Sequence, residues 1–454
     1  MSAPKPEILI VGAGLGGLLL GCIFEKMQVS YRIFERTSEI KPLGAAIGFG
    51  ANILPVFNQL GLMDELEKIS FVAKDLDMYN TKGDFIGGWD VGYQKKTTGY
   101  DQLVFARQDF HALLLSKVPP EKILMNKKVV SSEQDDQGVI IVCADDSTYR
   151  GDILVGADGA YSSVRRSLYN DLASKNKLPT SDTEDLLHGH ICLLGTTEAV
   201  DTEKFPVLKE PTTAFRRTLP DGGSYTWTII TVPGQRVCWN VIEQLSEQTS
   251  AKKSFQNSEW GPDANEKMIA EIRDFESPIG GTLGDLIDAS KPETISRVFL
   301  EHKLFETWYD RRIVLIGDAA HKFLPSGGQG ACNAMQDAVI LANCIYDLPS
   351  LSTEDINAAF EDYREQRYPH AKNQIERADF LGKVMFGQTF SEKVIRHFLF
   401  NWVPKSIQTM QFHKANNYRP QLTFLPMEMG LGPILPQKPS RRYAEEQAKK
   451  ATHV

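Results

Sequence analysis

Cysteine is scarce in this chain: six in 454 residues, at Cys22, Cys143, Cys192, Cys238, Cys332 and Cys344, with no C-x-x-C spacing. That argues against a zinc ribbon and against a disulfide framework. Four of the six sit inside apolar runs, as reduced core thiols in a reducing compartment do. Long apolar runs are missing too; nothing approaches the roughly 18 uninterrupted apolar residues of a spanning helix. Basic excess is absent: 50 Lys and Arg against 58 Asp and Glu leave a net charge of −8. A general affinity for nucleic acid or anionic membrane is not expected, although a local basic patch is compatible with that balance. A signal peptide finds no room for its apolar region, because a strand pattern starts at Glu7. Thr452-His453-Val454 is neither a peroxisomal nor a lipidation signal. Internal repeats, metal-ligand spacings and a nucleophile elbow are also lacking, so no metal is expected. These absences together point to a cytoplasmic chain.

What is present is organised around Arg312 to Leu348, RIVLIGDAAHKFLPSGGQGACNAMQDAVILANCIYDL. Ile313-Val314-Leu315-Ile316 reads as a buried parallel strand, and Gly317-Asp318 leaves a carboxylate at its carboxyl end, where open α/β sheets bind ligands. A Pro- and Gly-rich loop, Pro325 to Gly330, then delivers a helix whose apolar residues recur from Ala331 to Ile345. The start of that helix brings free N–H groups and partial positive charge close to Asp318. An earlier segment has the same plan. Ile8-Leu9-Ile10-Val11 runs into Gly12-Ala13-Gly14-Leu15-Gly16-Gly17 and an apolar helix, and a second strand, Tyr31 to Phe34, ends in Glu35. Gly12 permits the turn, Gly14 lets backbone approach a pyrophosphate, Gly17 allows helix to pack on strand, and Glu35 is placed to accept ribose hydroxyls. Arg36 beside it leaves the preference against a phosphorylated ribose incomplete. A third strand, Ile153 to Val155, ends in Gly156-Ala157-Asp158-Gly159, with a helix starting at Ser162. Asp158 there can orient backbone amides or Arg165.

GDAAH, a proline four residues later, GGQG and NAMQDA together resemble the second FAD motif of the class A flavin monooxygenases, which include aromatic hydroxylases, zeaxanthin-epoxidase-like enzymes and fungal terpenoid epoxidases. The resemblance covers about the first 370 residues. It implies FAD as cofactor, bound by Gly12, Gly14, Gly17, Glu35, Arg36, Gly48, Arg107, Asp158, Asp318, Pro325, Gly328, Gly330 and Ala331. It implies NAD(P)H as co-substrate, dioxygen adding at the flavin C4a, and the hydroperoxide passing one oxygen atom to an aromatic ring or alkene. The product would be a hydroxylated or epoxidised hydrophobic aromatic or isoprenoid small molecule.

The expected fold is α/β: a Rossmann-like FAD-binding domain, a parallel sheet with a β-meander, interleaved with an antiparallel substrate sheet and followed by a helical C-terminal part. Residues 1–75, 101–185 and 302–375 are assigned to a discontinuous FAD-binding domain and 76–100 with 186–301 to the β-rich substrate domain. Residues 376–454 form a helical segment and a Pro-containing tail. Period-two runs such as Tyr225 to Val232 and Val237 to Ile242 carry the substrate sheet. Tyr225, Trp227 and Trp239 are candidates to line its cavity, and Arg216, Arg217 and Tyr225 to handle substrate, with Arg216 and Tyr225 the catalytic candidates. His321 reads as structural, since no Ser or Asp partner is placed for a triad. Phe380 to Trp402 is expected to pack as a terminal helix; capping the active site and peripheral contact with a membrane surface are its alternatives. Two other outcomes compete with monooxygenation: a related flavin reductase or halogenase, and a non-catalytic FAD-binding protein. Tyr225 to Ile230 lacks the first Trp and the Pro of a halogenase W-x-W-x-I-P run.

Overall fold

The computed structural model describes residues 5–184, 187–220, 223–245, 262–324, 328–386, 389–404, 407 and 414–452. Four short apolar strands form its centre. Glu7–Val11 lies between Ile153–Gly156 and Ser30–Phe34, and Ile313–Leu315 lies beyond Ile153–Gly156, all parallel. Their β-branched and leucine side chains are buried on both faces, as a helix-covered parallel sheet requires. Ile123–Leu124 adds a parallel strand at one edge and Tyr309–Asp310 an antiparallel one at the other. Because the four central strands run the same way, their carboxyl ends share one edge. At about 4.8 Å per strand, the residues after Val11, Phe34, Gly156 and Leu315 are neighbours in space although up to 304 positions apart in sequence.

Helices Leu15–Met27 and Gly330–Tyr346 cover one side of this edge. They approach closely at Gly16, where an added Cβ would lie 3.2 Å from the Ala334 carbonyl oxygen. An antiparallel meander, Val129–Asp135, Gly138–Cys143 and Thr148–Gly151, lies between the second and third central strands in sequence.

The second body is a ten-stranded, mostly antiparallel sheet. Leu187–Thr196, Arg236–Gln244, Tyr225–Val232 and Thr212–Thr218 are its middle, and Thr212–Thr218 runs parallel to Phe71–Tyr79. The sheet also takes in Ala46–Phe49 and Gln102–Ala106, so it continues past residues 75 and 101, where the sequence reading placed domain boundaries. Those two strands are short and directly follow or precede cofactor-type motifs, which is why local pattern assigned them to the other body. Helices Pro262–Ile272 and Leu283–Asp288 cover one face of the sheet through Met268, Ile272, Leu283, Leu286 and Ile287.

After Tyr346 the chain forms the 34-residue helix Thr353–Phe386 and then Phe390–Asn401. Residues 418–440 are without helix and run over the body. Side-chain amides fasten this tail where no strand ladder does. Leu422 N–H donates to Gln59 Oε1 at 2.8 Å, Thr423 N–H to Asn343 Oδ1 at 3.0 Å, and Asn343 Nδ2 to the Gln421 carbonyl at 2.8 Å. No helix among the described residues is long and apolar enough to cross a membrane.

Candidate functional site

The glycine turn is built as its spacing predicts. Gly12 sits at φ +108°, and a Cβ there would overlap the Ala157 carbonyl, so the turn is packed against the next strand's end. Gly17 is equally confined, since its Cβ would run into the Gly12 carbonyl oxygen. Glu35 reaches back to this turn: Oε2 accepts from Ala13 N–H at 3.0 Å, while Oε1 accepts from Thr37 N–H and Oγ1, both at 3.0 Å. A carboxylate has about four acceptor sites, so a ribose hydroxyl still finds room. Arg36 beside it is exposed. His111, which sequence reasoning missed, holds the turn from the other side, with Nε2 2.8 Å from the Ala13 carbonyl oxygen. Burial lowers its pKa, and the Ala13 hydrogen bond and Glu35 counter this only in part, so the neutral ring donates from Nε2. Nothing near His111 in sequence signals this, because its partner is 98 residues away.

Substituting Gly17 by alanine is therefore expected to push helix from strand. Overpacking of this kind costs about 1–3 kcal/mol, and here the opposing atom is backbone and cannot rotate away. The Gly17→Ala protein should show both a lower denaturation midpoint and less flavin per chain. Equal flavin content in variant and parent would contradict this packing.

At the other strand end, Asp318 is half-buried and accepts no hydrogen bond from any described residue. Burial pushes its carboxyl above the ordinary value, while Lys322, His321, Arg107 and Arg165 pull the other way. Arg107 opens the helix Arg107–Leu115, donates from Nη1 to the Leu43 carbonyl at 2.9 Å and feels the Asp318 charge. The fold thus brings Arg107 and Asp318 together from 211 positions apart. Arg107, Gln108, His111 and Ala112 also line a cavity of about 130 Å³ with Lys41, Pro42 and Leu43. Gly48 lies on Ala46–Phe49, where a Cβ would meet Gln102 Nε2 at 2.8 Å. Gly328, Gly330 and Ala331 lead into the helix Gly330–Tyr346. Pro325 lies outside the described residues.

Beneath this loop lies a buried ionic cluster. Asp337, fully buried, accepts from Gly317 N–H at 2.8 Å, from His321 Nε2 at 2.6 Å and from Arg367 Nε at 2.7 Å. Burial works to raise the Asp337 carboxyl, but His321 and Arg367 outweigh it and hold the group below its usual range. This corrects the reading of His321: it has an acidic partner, supplied by the following helix and hidden by the intervening loop. The pair is still structural, because Asp337 also clamps the Gly317 amide, which sits at φ +59°.

The Gly156–Gly159 motif takes a different part. Asp158 Oδ2 accepts from Ser163 N–H at 2.7 Å and Val164 N–H at 3.3 Å, and Ser162 Oγ accepts from Arg165 N–H at 2.9 Å, so the helix Ser163–Ser174 is capped by its own side chains. Arg165 Nη1 reaches the Ala319 carbonyl at 2.9 Å and ties this motif to Asp318's strand end. Asp158 Oδ1 is buried without a partner.

Over these motifs stands the large sheet, and its two faces differ. Cross-strand partners share a face. Ile191, Leu193, Trp227, Ile229, Trp239 and Val241 form one set, packed under the two covering helices. The other set turns to the motifs: Cys192, Ile242 and Leu300 pack with Leu324, and Thr196 Oγ1 donates to the Gly44 carbonyl at 3.1 Å. Arg216 pairs with Ile229, and Tyr225 and Trp227 alternate with Thr226, so Arg216, Tyr225, Trp227 and Trp239 all belong to the helix-covered face. Arg216 Nη1 donates to the Pro278 carbonyl and the Tyr225 hydroxyl to Glu271, both at 2.5 Å. The catalytic candidates Arg216 and Tyr225 are therefore not brought to the strand-end motifs. Arg217 is. One row on the motif-facing side reads Leu194, Asn240, Thr228, Arg217 and Met78 across five strands.

A family model described as an FAD binding domain matches residues 5–378. The FAD-dependent monooxygenase paxM of Penicillium paxilli is 31% identical over 400 residues, 84% of this chain and 79% of that protein. The chain belongs to the class A FAD-dependent monooxygenases. Within this family it is also 27% identical to ausM of Penicillium brasilianum, over 94% of this chain and 89% of that one. The solved structure of Klebsiella pneumoniae HpxO complexed with FAD and uric acid shares the fold, at a TM-score of 0.73 and 20% identity, covering 91% of this chain and 97% of that one.

The residues of this monooxygenase fit FAD on their own geometry. Helices Leu15–Met27 and Gly330–Tyr346 begin without an acid in the first turn and, unlike Ser163–Ser174, without a capping side chain. A Cβ on Gly14, Gly328 or Gly330 would meet nothing within 4 Å. Two open helix starts, a cradle without side chains and an unpaired Asp318 suit a long ligand that is anionic in its middle and at one end.

Proposed function

We propose that this FAD-dependent monooxygenase uses NAD(P)H and dioxygen to hydroxylate or epoxidise a hydrophobic aromatic or isoprenoid molecule. Bound FAD would supply the redox chemistry, taking two electrons from the nicotinamide and directing one atom of dioxygen into the product while the other leaves as water. Glu35 and the Gly12–Gly17 turn would hold the adenosine and pyrophosphate. Arg107 and Asp318 would hold the sugar-alcohol chain, and the amides from Gly328 to Ala331 would face the electron-rich edge of the ring system and stabilise negative charge there.

The single observation that carries the substrate reading is the motif-facing row of the sheet. It is apolar at its ends, Leu194 and Met78, and polar between them, where Asn240 and Thr228 lead to Arg217, whose Nε donates to Thr228 Oγ1 at 2.9 Å and which meets no carboxylate among the described residues. Burial pulls the guanidinium down to about 10, still charged at neutral pH. A cation with four remaining donors, set in a polar centre between apolar ends, suits a substrate with one carbonyl, phenolate or similar oxygen on a hydrophobic frame. The surrounding wall excludes water that would intercept the reactive oxygen.

The test is a screen of hydroxyarenes and polyprenylated compounds for stimulated NAD(P)H oxidation, with product mass increased by one oxygen atom. With a stimulating compound in hand, Arg217→Ala should lower kcat/KM about 10- to 100-fold, the worth of a charged hydrogen bond, with flavin content unchanged. Arg216→Ala should stay within about threefold of the parent, as expected away from substrate. The reverse order of effects would refute the face assignment.

A further inference from the structure

The helix Phe390–Asn401 repeats large apolar residues every four positions on its outer side. Phe390 is 83% exposed, Val394 50%, Phe398 54% and the helix-capping Trp402 71%. Exposed side chains at this spacing form one stripe along the helix. The inner side is fixed to the body: Arg396 donates to the Met385 and Pro220 carbonyls, each at 3.3 Å. The stripe therefore belongs to a docked helix. The helix packs against Phe85–Asp90 and Thr353–Phe386, which add two exposed rings, Phe85 and Phe380.

We propose that this stripe docks the enzyme on an anionic lipid surface. The charges favour that occupant. Glu392, the helix's one acid, is closed into a capping box with Thr389, while Lys393 and His397 are exposed beside the stripe and Lys393 makes no ion pair among the described residues. A basic, aromatic-tipped face on a chain of net charge −8 is an amphipathic membrane contact in composition. A second copy fits less well. Side chains of a single helix fall short of the roughly 800 Å² per partner of a stable interface, and pairing two stripes would bring like charges together. Directly beneath the helix, Met78, Leu219 and Met385 cluster with Ile86 and Trp89. Met78 is the neighbour of Arg217 in the proposed substrate wall. A lipid-dissolved substrate would so meet an apolar path from bilayer to site; that last step rests on the function proposed above, whereas the docking does not.

The test is flotation of the FAD-loaded full chain with vesicles of phosphatidylcholine alone or of phosphatidylcholine and phosphatidylserine in equal parts. The parent should rise with the mixed vesicles. A protein combining Phe390→Ser, Phe398→Ser and Trp402→Ser should remain at the bottom while keeping its flavin absorbance and circular dichroism. Lys393→Gln should weaken binding to the mixed vesicles about fivefold. The proposal is overturned if the parent ignores both vesicle types or if the triple variant floats as well. It is equally overturned if sedimentation shows a parent dimer that the triple variant dissociates.

Discussion

The Asp318→Ala protein is expected to purify largely colourless. Its parent carries a half-buried carboxylate with no hydrogen-bond donor from the described chain, held near Arg107 and raised by burial. Such a group is costly to keep unless a ligand hydroxyl completes it. Each hydrogen bond to a charged group contributes about 1.5–3 kcal/mol, and without Asp318 the Arg107 guanidinium also loses the charge that steadies it. Flavin affinity should fall by about 10- to 100-fold or more, read by fluorescence titration of deflavinated protein. Asp318→Asn, which can still hydrogen-bond, should fall between. Full flavin occupancy of Asp318→Ala would mean that the acid serves something other than the cofactor.

The second large effect concerns stability. Removing Asp337 leaves Arg367 buried with no carboxylate beside it, and leaves the Gly317 amide and His321 without their acceptor. Breaking one side of a buried pair costs about 3–5 kcal/mol. Asp337→Ala should show that loss in denaturant titrations, and adding Arg367→Met should restore part of it. The pH dependence has a fixed sign. The folded carboxyl lies below its unfolded value of about 3.9, so its contribution is fully present above about pH 4 and is lost as pH falls through the folded value. Destabilisation of Asp337→Ala that is the same at neutral pH and well below pH 3 would contradict the depressed carboxyl.

The cofactor edge was legible because its motifs are local. Each consists of a strand, a turn that needs glycine or a carboxylate, and a helix start, within about ten residues, and parallel order then aligns the strand ends. The substrate wall was not legible for a geometric reason. Arg216 and Arg217 are adjacent, so a one-residue difference in register decides which faces the motifs, and the pairing with Phe71–Tyr79 shifts between Thr213 and Phe215. The aromatics Tyr225, Trp227 and Trp239 looked like cavity lining until helices some 25 to 60 residues further along covered their face. Long-range polar pairs escaped for a similar reason. His321 and Asp337 are separated by a loop, and His111 meets a backbone carbonyl that carries no sequence signature. The tail past residue 418 showed its prolines, but not the amide clasps at Gln59, Asn343 and Gln421 that hold it.

Titration of the deflavinated protein with FAD, followed by quenching of flavin fluorescence and repeated in the presence of FMN, bears most directly on the convergence of Glu35, the glycine turn, Arg107 and Asp318 on one extended ligand. Those groups predict saturation at one FAD per chain, with FMN a poor competitor because it leaves the turn and Glu35 empty. Failure to take up FAD, or displacement of FAD by equimolar FMN, would contradict it.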